Sequence, residues 1–164
     1  MHIDATEKKW IYLTFLLTFA GMGVLAAYAV MDNIHPPSNV ETVDSAALHL
    51  SKEFNEDALG VKREADGSIR VTMVAARYGF FPQKLVVPVD TPVTIRIASA
   101  DVLHGIHTVQ SNFNTMVVPG YVSEVNTTFQ KTGVFPMFCN EYCGLGHDFM
   151  WARLSVVPKE KFKL

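Results

Sequence analysis

The sequence predicts a mainly β protein, a Greek-key β-sandwich preceded by one N-terminal transmembrane α-helix, and three observations carry that prediction. Residues Trp10 to Met31 contain no charged side chain over 22 positions, and about 20 apolar residues are enough to cross a bilayer as a helix. From Ser68 onward, short runs rich in Val, Ile, Thr and Phe alternate with Pro and Gly, which is the pattern of strands and turns. Between the two lies an acidic stretch opening on Pro36-Pro37. The expected organisation is therefore residues 1–35 as N-terminus and transmembrane helix, 36–67 as a connector, and 68–164 as an external β domain.

At the amino end, Trp10 and Tyr12 on one edge of the apolar run and Tyr28 on the other suit the aromatic belts of a membrane interface. Lys8 and Lys9 precede the run, and no Lys or Arg follows until Lys52. The positive-inside rule then puts the N-terminus in the cytoplasm and the rest of this single-pass chain outside the cell membrane. Ala27-Tyr28-Ala29 resembles a signal-peptidase site, but the apolar run is long for a cleaved signal. Glu7, by composition alone, is a solvated acid at a helix start. In the connector, Val43, Ala47, Leu50 and Phe54 recur at helical spacing, which predicts a short amphipathic helix within about residues 42–58. His35 and His49 read as surface residues of that connector.

Eight strands are expected: Ile69 to Ala76, Lys84 to Val89, Val93 to Ala98, Gly105 to Val109, Thr115 to Val118, Ser123 to Phe129, Val134 to Phe138 and Trp151 to Val157. Alternation such as Val93-Thr94-Ile95-Arg96-Ile97 predicts antiparallel sheets with one face buried and the other in water, and functional residues gathered on loops at one end. With 14 basic and 16 acidic side chains the net charge is −2. No excess of positive charge is available to neutralise phosphates, which disfavours a nucleic-acid partner.

The chemistry is concentrated in Cys139-Asn140-Glu141-Tyr142-Cys143-Gly144-Leu145-Gly146-His147-Asp148-Phe149-Met150. This stretch holds both cysteines of the chain with a histidine and a methionine. Thiolate, imidazole and thioether together are the ligand set that selects copper. Cys-x3-Cys-x3-His-x2-Met supplies two thiolates, enough to bridge a pair of copper ions, and a further histidine must come from elsewhere. Asp101-Val102-Leu103-His104-Gly105-Ile106-His107 offers two candidates, His104 and His107. Two other readings use the same residues: a short disulfide between Cys139 and Cys143 in an oxidising compartment, and a Cys2His2 zinc site, which leaves Met150 unexplained.

Asp101-Val102-Leu103-His104 followed by Cys139-x-Glu141-x-Cys143-x3-His147-x2-Met150 resembles the CuA signature of cytochrome c oxidase subunit II, in the haem-copper oxidase superfamily. The resemblance covers nearly the whole chain. Its single span, together with Tyr78-Gly79-Phe80-Phe81-Pro82, Val118-Pro119-Gly120 and Cys143-Gly144-Leu145-Gly146-His147, is similar to the compact B-type branch. It implies a cupredoxin-like external domain with a binuclear CuA centre. Cys139 and Cys143 would bridge the coppers, His104 and His147 would be terminal ligands, Met150 a weak axial sulfur, and Glu141 a carbonyl ligand. Asp101 and His107 would support the ligands from behind. Where the family has glutamate at position 141 its carboxylate helps to hold magnesium against subunit I, whereas the B-type branch commonly has glutamine. Glu141 mixes the two patterns and leaves magnesium open. Ala5-x-Glu7-Lys8-x-Trp10 resembles the B-type phrase in which the glutamate lies at the cytoplasmic mouth of a proton pathway.

The function this implies is electron entry into a terminal respiratory oxidase. A cytochrome c would reduce the copper centre, which passes electrons to haem in the catalytic subunit I for reduction of oxygen to water. Tyr78, Phe80, Phe81, Phe149 and Trp151 are candidates for a docking patch or electron route, or for core packing. No Cys-x-x-Cys-His haem attachment motif is present, so the chain is the electron-transfer part of the enzyme and not its oxygen-reducing core. A CuA subunit of a nitric oxide reductase would share this domain and differ in its partner. A membrane-anchored copper-delivery protein would bind a single Cu(I).

Overall fold

The computed structural model describes residues 4–31 and 41–164. His35 and Pro36-Pro37 lie outside the described residues. Two units are distinguished, one ending at His35 and one beginning at Pro36.

The first unit is the helix α1, Ala5–Met31, 27 residues long and apolar enough to cross a membrane by length and composition. Its first turn is capped by Asp4, whose carboxylate accepts from the Thr6 amide at 2.7 Å and whose carbonyl accepts from that of Lys8. Glu7 lies in that first turn. From Trp10 onward the helix is free of charge around its whole circumference, as expected of a span surrounded by lipid or by other helices.

The second unit is a sandwich of two five-stranded sheets. One contains β1 (Gly60–Arg63), β2 (Ile69–Ala76), β3 (Gly79–Phe81), β5 (Pro92–Ser99) and β8 (Val122–Thr128). The other runs in the order β4 (Lys84–Pro88), β10 (Trp151–Val157), β9 (Gly133–Phe138), β6 (His104–Thr108), β7 (Asn114–Val117). Strand alternation sends Ile69, Val71, Met73, Ile95 and Ile97 inward from the first sheet. They meet Leu85, Val87, Ile106, Met137 and Leu154 from the second, all at most 2% exposed.

The sheets are mixed, not purely antiparallel: β2 pairs parallel with β5, and β4 with β10. After β2 the chain crosses to β4 in the opposite sheet and returns as β5, so it arrives beside β2 running in the same direction. Two strands lie outside the expected eight. β1 and β3 pair with successive parts of β2, opposite Ile69 to Thr72 and Val74 to Ala76 respectively. β1 falls within the expected connector.

The amphipathic helix expected over 42–58 is replaced by two short 3-10 helices, Ser45–Leu50 and Glu56–Ala58. Asp44, Ser51 and Asn55 break the run because their side chains accept from nearby backbone amides. The segment lies on the first sheet, burying Leu48 and Phe54 against Val74, Ala98 and Val122. The outer face of β5 is consequently not solvated as its alternation suggests. Arg96, next to that apolar row, is 9% exposed and pairs with Glu41, Glu53 and Glu124.

Candidate metal centre

The ligand-rich loop is an excursion between two paired strands. β9 and β10 pair up to Phe138 opposite Trp151, and the Cys139 amide then donates to the Met150 carbonyl at 3.1 Å, which pins both ends of the loop. Before β10 the chain forms one 3-10 turn, His147–Phe149, with the Met150 amide bonded to the His147 carbonyl. Residues i and i+3 eclipse in such a turn, so the His-x2-Met spacing brings His147 and Met150 to one side.

At the centre, Cys139 Sγ and Cys143 Sγ stand 3.9 Å apart as free thiols, about twice the length of a disulfide bond. His104 Nδ1 lies 4.0 Å from Cys139 Sγ, and His147 Nδ1 lies 3.6 Å from Cys143 Sγ. Met150 Sδ is 3.6 Å from Cys143 Sγ, and the Cys139 thiol donates to the Glu141 carbonyl at 3.2 Å. His104, Cys139 and Cys143 have ligand atoms within 4.8 Å of one another, and all three are buried. Burial and the neighbouring Cys139 sulfur push the Cys143 thiol up to about 11. A metal entering here therefore has to displace a proton from that sulfur.

His104 begins β6, fully buried, with Nε2 2.8 Å from Asp101 Oδ1. Asp101 also accepts from the amides of Val102 and Arg77 and from the Arg77 guanidinium. Burial alone would raise its carboxyl pKa, but these hydrogen bonds, that of His104 first, hold it below the ordinary carboxylate value. Three positions along the strand, His107 lies on the opposite face of β6, its ring 6.0 Å from that of Phe138. The structure thus brings His104, Cys139, Glu141, Cys143, His147 and Met150 together and leaves His107 apart.

The aromatic candidates divide. Tyr78 is 40% exposed, and Phe81, Phe149 and Trp151 also reach the surface. Phe80 does not: it is fully buried in the sandwich core, which removes it from any docking surface. On the ligand loop itself, Tyr142 and Leu145 are strongly exposed alongside Phe149, Leu145 at 94%. Phe138 is also exposed. Its position was readable from strand alternation, with Met137 and Cys139 directed inward on either side. Asn140 was not singled out by its sequence. Its amide donates to the Gly105 carbonyl and its side chain to Asn114 Oδ1, which ties the residue after Cys139 to the residue after His104.

Two sulfurs, two imidazole nitrogens, a thioether and a carbonyl converging at one end of a rigid sandwich form a donor set that suits copper better than zinc or a hard cation. Fold and site together define a cupredoxin-like metal-binding domain behind an N-terminal apolar helix. Comparison with known proteins is consistent with this. Residues 71–157 match the family model of the cytochrome c oxidase subunit II periplasmic domain. A cytochrome c oxidase subunit 2 of Thermus thermophilus is 31% identical over 161 residues, covering 96% of this chain and 94% of the relative, and a second from that organism is 34% identical over 125 residues, covering 76% and 91%. One chain of a haem-copper terminal oxidase dimer solved by cryo-electron microscopy superposes with a TM-score of 0.74 at 26% identity, covering 93% of this chain and 99% of its own length. The periplasmic domain of subunit II of cytochrome oxidase from Bradyrhizobium japonicum shares the fold, with a TM-score of 0.51 at 21% identity, covering 56% of this chain and 86% of its own. The chain belongs to the cytochrome c oxidase subunit II family. That family implies copper at the centre and partnership with subunit I of an oxidase.

Proposed function

We propose that this chain is the electron-entry subunit of a terminal respiratory oxidase, taking electrons from cytochrome c at a binuclear CuA centre and passing them to haem in subunit I for reduction of oxygen to water. The observation that carries the reading is the pair of thiols 3.9 Å apart, each with an imidazole Nδ1 close enough for one metal ion to bind both, and one with a thioether beside it. In this reading the thiolates of Cys139 and Cys143, the imidazoles of His104 and His147, the Met150 thioether and the Glu141 carbonyl would hold the coppers. When bound, the copper pair would take up and release one electron at a time with little reorganisation of its surroundings.

The protein's part is to hold and shield. Asp101 fixes the His104 ring so that Nδ1 faces the sulfurs. The β9 and β10 ladder clamps the loop at both ends. Cys139, Cys143 and Met150, each at most 8% exposed, are kept from water by the core beneath them. The exposed side chains of Tyr142, Leu145 and Phe149 on the ligand loop, and of Trp151 just after it, would offer the apolar surface on which a cytochrome c docks. The Glu141 carboxylate is an oxygen ligand available to magnesium at the subunit I interface. In the bilayer, α1 would lie with Lys8 and Lys9 on the cytoplasmic side, where Glu7 would serve as the proton-pathway entrance and the sandwich would face the periplasm.

Metal analysis and electron paramagnetic resonance of the full chain, purified in detergent and loaded with copper, test the centre. Two coppers per chain sharing one unpaired spin are expected. One copper with a four-line spectrum, or zinc held in preference, would remove the proposal.

A further inference from the structure

The two glycines between Cys143 and His147 are required for different reasons. Gly144 has φ +130°, a conformation that residues with a Cβ rarely adopt. Gly146 has φ −94° and ψ 10°, which any residue can take. What excludes a side chain at Gly146 is Tyr78. A Cβ there would overlap the ring at Cγ (2.5 Å) and Cε2 (2.8 Å) and, closer still, at Cδ2. The same ring extends to Gly144, where a Cβ would meet Oη at 2.6 Å and Cε1 at 3.2 Å. Tyr78, in the turn between β2 and β3, therefore lies along the backbone of residues 144–146.

That backbone carries the ligands that follow it. The Gly144 carbonyl accepts from the His147 amide at 3.0 Å, and the Gly146 carbonyl from the Phe149 amide at 3.1 Å. Whatever fixes these two peptide groups also fixes His147 at 3.6 Å from Cys143 Sγ and the 3-10 turn that delivers Met150. The large apolar side chains of this part of the loop do not fold back to support it, since Leu145 is 94% exposed and Phe149 80%.

We propose that Tyr78 is a positioning residue for the metal centre, its ring acting as the template on which the loop from Gly144 to Gly146 folds and so setting the placement of His147 and Met150. This rests on the copper reading given above. It also assigns Gly146 a role in size complementarity, the small partner that admits the ring.

The test uses the full chain in detergent, loaded with copper, with four readouts: copper per chain, hyperfine pattern, reduction potential and thermal midpoint. Tyr78→Phe keeps the ring and should match the parent protein in all four. Tyr78→Ala should weaken copper binding on the order of ten- to a hundredfold, the range seen when groups supporting a ligand are lost, with an altered hyperfine pattern and potential. Gly146→Ala should do the same while Tyr78 is present. Combined with Tyr78→Ala it should add little, because the clash has gone. An unchanged hyperfine pattern and potential in Tyr78→Ala, or a Gly146→Ala effect of equal size with and without the ring, overturns the proposal. Should Tyr78→Ala fail to fold, Gly146→Ala decides alone, and an unchanged signature there is equally fatal. Failure of the parent protein to show two coppers with a shared spin would instead defeat the copper reading itself.

Discussion

Asp101 Oδ1 lies 2.8 Å from His104 Nε2, and the opposite ring nitrogen, Nδ1, faces Cys139 Sγ. The carboxylate is itself held by two backbone amides and by Arg77, so it cannot follow the ring if the ring rotates. Asp101→Ala should therefore leave His104 buried without a partner on Nε2. A copper affinity lower by about ten- to a hundredfold is expected, measured by competition against a chelator. Asp101→Asn keeps an acceptor oxygen at the same place and should lose less. Equal affinity in Asp101→Ala and the parent protein would show that the sandwich alone orients the ring.

Met150 places its sulfur 3.6 Å from Cys143 Sγ, with the residue 2% exposed. Met150→Leu is close to volume-conserving, so packing should lose under about 1.5 kcal/mol. The thioether is removed and the pocket becomes more apolar, and both changes disfavour the more highly charged oxidised centre. The reduction potential should rise while two coppers remain bound, as voltammetry and metal analysis would show. An unaltered potential would mean that Met150 does not bind the metal.

The fold was legible wherever local pattern and tertiary environment agree. β2 and β10 match their expected bounds, Ile69–Ala76 and Trp151–Val157, because β2 is a mostly apolar run rich in β-branched residues and β10 alternates clearly. β1 was hidden: Gly60-Val61-Lys62-Arg63 is short and half charged, and is a strand because β2 offers it an edge. Arg96 misled for a related reason. Its place in an alternating strand signals solvent, whereas the three glutamates that surround it come from residues 41, 53 and 124, and no local window joins them. For the site, the cysteine loop could be read from spacing, whereas spacing left His104 and His107 open and only the family resemblance chose His104. The packing of Tyr78 on Gly146 depends on two segments far apart in the chain, so the sequence offers only the glycine. Phe80 and Phe81 are adjacent aromatic residues with opposite fates, decided by which face of β3 each occupies.

The buried Arg96 makes a separate prediction about stability. Its guanidinium meets Glu53, Glu124 at 2.7 Å and Glu41 at 2.8 Å, while its own side chain is only 10% exposed. The hydrogen bonds that Arg96 donates to Glu53 first, and to Glu41 and Glu124, outweigh desolvation and raise the affinity of the guanidinium for its proton. Arg96→Met would fill similar space but leave three carboxylates facing one another with no cation. A loss of about 3 kcal/mol is expected, the lower end of the range for breaking a buried pair, because these glutamates can relax toward water. Denaturant titration of the full chain measures it. A loss below about 1 kcal/mol, the usual worth of a surface pair, would show that the strap from residue 41 is held by Leu48 and Phe54 alone.

His107 separates a metal ligand from a nearby histidine. Its Nδ1 is buried and, among the described residues, has no hydrogen-bond partner, and its ring lies beside Phe138 on the face of β6 away from the sulfurs. An unpaired buried nitrogen costs about 1–3 kcal/mol, so an apolar replacement of similar size removes a penalty along with some packing. His107→Leu should retain both coppers and an unchanged hyperfine pattern, with a thermal midpoint equal to or above that of the parent protein. His104→Leu, in contrast, should lose the shared-spin signal. If the signal instead disappears with His107→Leu and survives in His104→Leu, the ligand assignment must be exchanged between the two histidines, and the role given to Asp101 goes with it.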